Sequence, residues 1–266
     1  MSYYEAVVLY FMTGILGVCV GSFLNVVIYR VPHGMSVAFP ASHCPKCGYE
    51  LKWYDNIPLI SYFLLRGKCR ACKTRISSRY AIVESANMLM WLLSVALFWQ
   101  ESILFACLAA LASSLMICVF FIDLDHKIIF DRFVLMIGAL GIAATFCDLS
   151  YGWLSHIIGG AVGFVNFYLI ALGFEKVRGK EGLGGGDIKL TAVCGLLLGW
   201  ERLLLAILIG AVSASVVLLI LAKKAENSSD GRDAEYPFAP FLTSGFALAM
   251  FFGKDIIDWY LALLGI

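Results

Sequence analysis

Charge is scarce in this sequence. Asp, Glu, Lys and Arg make up 15% of its 266 residues and balance to a net +1, which leaves no basic field for a polyanion and excludes nucleic acid as a partner. The first apolar run is preceded by Glu5 and by no Lys or Arg. That absence argues against a cleavable secretory signal, whose start is basic, and predicts a retained first span. No glycine fingerprint of the dinucleotide-binding kind is present, and no internal repeat recurs at a fixed period. What is abundant is apolar surface. A hydrophobic content of 61% and a mean hydropathy of +0.86 exceed what a soluble domain carries and predict a membrane protein.

The apolar residues fall into runs. Residues 6–29 are 24 uncharged residues, enough to cross a hydrocarbon core of about 30 Å at about 1.5 Å per residue. Further runs at about 81–99, 102–122, 133–147, 153–174, 190–200 and 203–222, and one after Phe241, give an all-α, polytopic membrane bundle of about eight transmembrane helices. The run at 190–200 has only 11 residues, so the charged residues just before it are expected at the interface. The last residues, 259–266, are too few to cross again. Small residues in the first run, Gly14, Gly17 and Gly21, suit close helix packing.

All but Arg202 and Lys254 of the 20 Lys and Arg residues lie in the loops at 30–80, 123–132, 175–189 and 223–237. By the positive-inside rule these loops face the cytoplasm and both termini face outward. The expected organisation is a first helix over 1–30, a soluble subdomain over 31–80 and a helical bundle over 81–266. The polar stretch 223–235 reads as a loop.

Two places concentrate chemistry. Cys44-Pro-Lys-Cys47 and Cys69-Arg-Ala-Cys72 are Cys-x-x-Cys knuckles separated by 21 residues, close to zinc-ribbon spacing. Four thiolates can close a tetrahedral structural site with no position left for substrate; a redox role for either pair is the alternative. His43 beside the first knuckle is read as a bystander. The second place is a pair of acids, Asp123 at the end of one apolar run and Asp187 after the glycine run 184–186. A lone aspartate after glycines is more often a helix cap, but two such acids at one face of an apolar chain point to aspartyl chemistry, since ionisable residues are retained at a membrane for use. Asp125 and Asp131 are read as capping or solvated, with a substrate role as the alternative, and His126 as a loop histidine whose alternative is to tune Asp123 one turn away. Lys189 either counters an acid's charge or caps the interface. Glu84 either favours a helix N-terminus or lies where substrate enters.

Gly184-Gly-Gly186-Asp187-Ile-Lys189, the Ile122-Asp123 helix end, the first-run ending Gly21-Ser-Phe-Leu-Asn-Val-Val-Ile-Tyr-Arg30-x-Pro32, the segment Trp53-Tyr-Asp-Asn-Ile-Pro58-Leu59 and the Pro237-to-Pro240 entry to the last run together resemble the type IV prepilin peptidases, membrane aspartyl proteases of the Gly-x-Gly-Asp type. The likeness extends from Gly21 to Pro240. One departure is Phe130-Asp131, where the family has Pro-Asp, which bears on the turn there.

The resemblance implies catalysis by Asp123 and Asp187; Gly184, Gly186, Lys189 and Glu84 are the candidate site-tuning or substrate-contacting residues beside them, and the cysteine spacing leads to structural zinc at Cys44, Cys47, Cys69 and Cys72. It implies cleavage of the basic leader of prepilins or pseudopilins of type IV pilus or type II secretion systems, at the cytoplasmic face of a bacterial inner membrane. It also implies N-methylation of the new terminus from S-adenosylmethionine. The competing readings are a cation- or proton-coupled transporter using the same charges and a zinc-dependent scaffold without catalysis.

Overall fold

The computed structural model describes residues 3–148, 152–179, 183–226 and 236–265; positions 180–182 and most of the polar stretch 223–235 lie outside them. The described residues form helices and no strand. They are α1 (Tyr3–Arg30), α2 (Ile60–Leu64), α3 (Arg79–Phe98), α4 (Ile103–His126), α5 (Asp131–Cys147), α6 (Trp153–Arg178), α7 (Gly185–Leu198), α8 (Trp200–Glu226) and α9 (Ala239–Leu264). Every helix except the five-residue α2 coincides with an expected apolar run. The chain divides into two compact units, Met1–Ala96 and Leu97–Ile266.

By length and composition, five helices among the described residues can cross a membrane: α1, α3, α4, Trp153–Val177 of α6 and Trp200–Leu221 of α8. The expected eight are therefore not all supported on that ground. With 17 and 14 residues, α5 and α7 are shorter than the roughly 20 residues a full crossing needs, and α9 carries Lys254, Asp255 and Asp258 within its length. The terminal residues are not a separate segment, because α9 runs unbroken to Leu264.

In the first unit, α1 and α3 meet along the expected small-residue face. A Cβ on Gly21 would lie 2.8 Å from the Glu84 Cα, and one on Gly17 would lie 3.0 Å from the Met88 Cα. Backbones this close let side chains bond across helices: Asn87 donates to the Gly17 carbonyl at 2.7 Å and Asn25 to the Tyr80 carbonyl at 3.2 Å. Such bonds and van der Waals fit, rather than water exclusion, hold helices together in lipid. Gly21→Leu should therefore force the pair apart and cost about 1–3 kcal/mol, seen as a lower unfolding midpoint in mild detergent. An unchanged midpoint would mean that the contact is not used.

In the second unit, α7 packs between α5 and α6, and α9 between α4 and α8. The α6–α7 approach is so close that a Cβ on Gly159 or Gly195 would strike the other residue's carbonyl oxygen. One end of this bundle is tied by buried charge. Arg202 donates to the Asp148 carboxylate and to the Leu198 carbonyl, and His156 Nδ1 bonds the Leu196 carbonyl at 3.0 Å, so the ends of α5, α6, α7 and α8 are joined. Arg202, only 3% exposed, is a structural cation rather than a solvated one. The other end carries the aspartates.

Candidate active site

Asp123 lies in the last turn of α4, 6% exposed. A buried carboxylate needs donors, and here Oδ2 accepts the Ala239 N–H at 3.2 Å. Ala239 opens α9 and is followed by Pro240, which has no N–H, so the acid takes up one of the orphan amides of a helix start. Helix α4 ends there because Lys127 turns left-handed, φ 55°, its amide bonding back to the Asp123 carbonyl.

Asp187 is the third residue of α7, after the N-cap Gly184. Its carboxylate turns back toward the Gly184 backbone, with Oδ2 lying 3.4 Å from where a Gly184 Cβ would stand. Oδ1 is buried and makes no hydrogen bond among the described residues, leaving one oxygen directed at unfilled valence. The Asp123 carboxylate lies near enough for its charge to bear on Asp187. What lets the chain close up here is Gly186. A Cβ at that position would lie 2.9 Å from the Ile129 Cβ, so its absence seats the α4–α5 loop against the start of α7.

Gly184 and Gly186 thus flank Asp187 at the start of α7, while Asp123 closes α4. Lys189 turns elsewhere. It pairs with Asp131 at 2.8 Å with both side chains exposed, a contact worth no more than about 1 kcal/mol. Asp125 and His126 are exposed at the end of α4. Phe130, where the related motif has proline, has φ −78° as N-cap of α5, a value that proline would also set, so the turn keeps its shape. Glu84 belongs to the first unit, where it accepts the Leu59 N–H at 2.8 Å and the Ser22 hydroxyl.

The cysteine subdomain, also in the first unit, is built from two similar knuckles. In each, the first Cys amide bonds the carbonyl five residues on, Cys44 to Tyr49 and Cys69 to Thr74, around a residue with positive φ, Gly48 or Lys73. An isolated bridge flanks each, His43 with Glu50 and Lys68 with Arg75. His43 Nδ1 bonds the Ala41 carbonyl and is not one of the clustered ligands. All four sulfurs lie within 4.8 Å of one another, with Cys44–Cys72 at 3.9 Å and Cys47–Cys69 at 4.0 Å. Those distances are far too long for disulfides and match the separation of about 3.8 Å expected between sulfurs on a tetrahedral zinc with Zn–S bonds of about 2.3 Å. The cluster can bind a metal such as zinc.

Asp55 joins the two knuckles. It accepts Tyr49 Oη–H at 3.0 Å, the Lys52 N–H at 3.3 Å and Arg70 Nε–H at 2.6 Å. Burial pushes its carboxyl up, but the Arg70 and Tyr49 bonds outweigh that and hold it below the usual carboxylate range. A lowered folded value means that the stabilisation is complete above the unfolded carboxylate pKa and is lost as pH falls through the lowered one. Asp55→Asn should accelerate amide exchange across residues 44–75 roughly tenfold at neutral pH and remove part of its acid dependence; exchange equal to that of the parent would show that Asp55 is not the tie.

Residues 15–99 match the Bacterial Peptidase A24 N-terminal domain, and residues 110–219 match the Type IV leader peptidase family. A prepilin leader peptidase/N-methyltransferase of Myxococcus xanthus is 38% identical over 231 residues, 84% of this chain and 68% of that one. The chain belongs to the type IV leader peptidase family. Proteins of the same description from Pseudomonas aeruginosa and Legionella pneumophila are 33% and 32% identical, each over 95% of this chain and 93% and 94% of their own. No solved structure matches the chain. Within this leader peptidase, the partners that sequence reasoning missed are Ile129, which occupies the space left by Gly186, and the Ala239 amide. The Pro240 helix entry was the visible trace of the latter, yet nothing local pairs it with a residue 116 positions away.

Proposed function

We propose that the chain is a membrane aspartyl endopeptidase that removes the short basic leader of prepilins or pseudopilins at the cytoplasmic face of a bacterial inner membrane, and then methylates the exposed N-terminus. The observation that carries the reading is the buried Asp123 within electrostatic reach of Asp187, whose Oδ1 lacks a partner, both at the ends of apolar helices. In this reading the two carboxylates hold one proton between them. The ionised member takes a proton from water as its oxygen attacks the scissile carbonyl carbon, and the protonated member donates to the carbonyl oxygen. Collapse of the tetrahedral carbon breaks the C–N bond, with a proton passing to the leaving amine. The α9 amide of Ala239 holds Asp123 in place, and Gly184 holds one oxygen of Asp187.

The relatives' names supply the methyltransferase half of the proposal. Zinc at Cys44, Cys47, Cys69 and Cys72 is structural, because four sulfurs fill a tetrahedral shell. A transporter is disfavoured, since the acids sit at helix ends rather than mid-helix where transported ions bind. Co-expression with a pilin-like substrate tests the function: leader loss with the parent chain supports it, and an uncut leader contradicts it. Orientation is tested by reporters, expected to read cytoplasmic at Lys52 and external at Gln100; the opposite readings would invert the topology.

A further inference from the structure

Residues 56–65, Asn-Ile-Pro-Leu-Ile-Ser-Tyr-Phe-Leu-Leu, hold no charge although Asp55 and Arg66 bound them, and aspartyl chemistry gives them no task. An apolar stretch of about ten residues is too short to cross a bilayer but long enough to enter it and return. We infer that residues 56–65 form a re-entrant wedge. It dips into the bilayer leaflet in which α1 ends and α3 begins, with Ile60, Phe63 and Leu64 against the acyl chains and Glu84 anchoring its turn. The inference is independent of the catalytic reading and rests on α1 and α3 crossing the membrane.

With 20 residues, α3 is about 30 Å long at about 1.5 Å per residue, the thickness of the hydrocarbon core, so its ends mark the two boundaries. Glu84 stands five residues in from Arg79, about 7 Å along the axis. Gly21 of α1, nine residues before Arg30, lies level with it, since a Cβ there would stand 2.8 Å from the Glu84 Cα. Glu84 Oε2 accepts the Leu59 N–H at 2.8 Å. A helical side chain leans toward its helix's N-terminus, here toward the boundary, which makes the bond shallower than the Glu84 Cα and still leaves it inside the core. Ile60 follows Leu59 directly, and the Phe63 N–H returns to the Leu59 carbonyl at 3.0 Å, so α2 starts at that depth.

Lipid offers no hydrogen bonds, so a backbone that enters it must bring its own partners. The Ile60 N–H closes a three-residue γ-turn onto the Pro58 carbonyl at 2.6 Å, and the amides of Ser61 and Leu65 bond the carbonyls of Ile57 and Ser61. The Ser61 hydroxyl also turns inward, to the Ile57 carbonyl. Leu59 itself has φ 58°, a conformation that L-residues rarely adopt. Such strain persists where the surroundings fix it, and Glu84 does so by taking the Leu59 amide.

The side chains match the depth. Ile60, Phe63 and Leu64 are 56%, 69% and 78% exposed. Three large apolar groups laid bare on the five-residue α2 are a liability in water and ordinary against lipid. Headgroup-level residues flank them: exposed Trp53 on the entering side, as tryptophan gathers at membrane interfaces, and exposed Arg66 and Lys68 on the returning side, placed for lipid phosphates. Because Asp55 is bonded to Arg70 across the two arms, the wedge also holds the cysteine subdomain against the membrane surface.

The test uses full-length protein with its metal retained, in vesicles of phosphatidylethanolamine and phosphatidylglycerol that include a phospholipid carrying a diazirine on an acyl chain. Photolysis followed by peptide mass mapping reads where lipid becomes attached. Label is expected on residues 60–64 at a yield near that of Phe23, an exposed residue of α1, and about tenfold or more above that on residues 44–49 of the first knuckle. Unlabelled 60–64 beside labelled Phe23, whether water or a second copy of the chain covers the segment, overturns the wedge. Glu84→Gln keeps an acceptor for the Leu59 amide and should leave the yield within about twofold of the parent, whereas Glu84→Leu removes it and should lower the yield on 60–64 about fivefold or more with Phe23 unchanged. Equal labelling of the two variants overturns the anchoring role of Glu84. Should Glu84→Leu fail to fold, the labelling pattern of the parent decides the wedge by itself.

Discussion

Asp123→Asn and Asp187→Asn should each lower leader cleavage by roughly 10³-fold or more, about 4 kcal/mol of transition-state stabilisation. Asparagine has nearly the shape of aspartate and keeps a carbonyl oxygen, so at position 123 it still accepts the Ala239 N–H and at position 187 it still accepts from Gly184. What it removes is the capacity to take or share a proton. The loss should therefore appear in turnover while the unfolding midpoint moves little. Since the two acids act as one unit, the double variant should be scarcely worse than either single one. A single variant that retains a tenth of the parent rate would show that its acid is not part of the reacting pair.

The second large effect concerns the metal. The cysteine subdomain has little secondary structure, only a single 3-10 turn at Trp53–Asp55 and the five-residue α2, and its exposed residues include Trp53 and Phe63. A segment so poor in packed surface depends on ligation for its order. Cys44→Ser and Cys72→Ser each remove one sulfur from a pair 3.9 Å apart and should weaken zinc retention by about 100-fold or more against a competing chelator. Amide exchange across 44–75 should rise in parallel, and so should protease cutting there. Purified parent protein without bound zinc, or serine variants with unaltered exchange, would contradict a structural zinc site.

The reach of the sequence is clearest at these two places. Cysteine spacing is a local pattern, and the knuckle turn at Gly48 follows from it; the sulfurs converge as that pattern predicts. Asp123 and Asp187 stood out because acids are rare beside apolar runs, and the structure places them at the end of α4 and the start of α7. Long-range partners were not legible. Nothing near Asp123 in the chain announces the Ala239 amide, and nothing near Lys189 announces Asp131. Counting uncharged residues found where the helices are but not which of them span, because α5 and α7 are held by packing against each other and against α6 despite their shortness. Arg202 illustrates the same limit: nothing beside it in the chain announces that Asp148 and His156 surround it.

The most direct measurement is the mass of the products formed when the purified protein is given a synthetic pilin-like peptide carrying a short basic leader and an apolar segment. The account predicts two fragments divided at the boundary between leader and apolar segment with the parent protein, and intact peptide with the Asp123→Asn, Asp187→Asn double variant. Cleavage by that double variant at a rate near the parent's would contradict the aspartyl assignment.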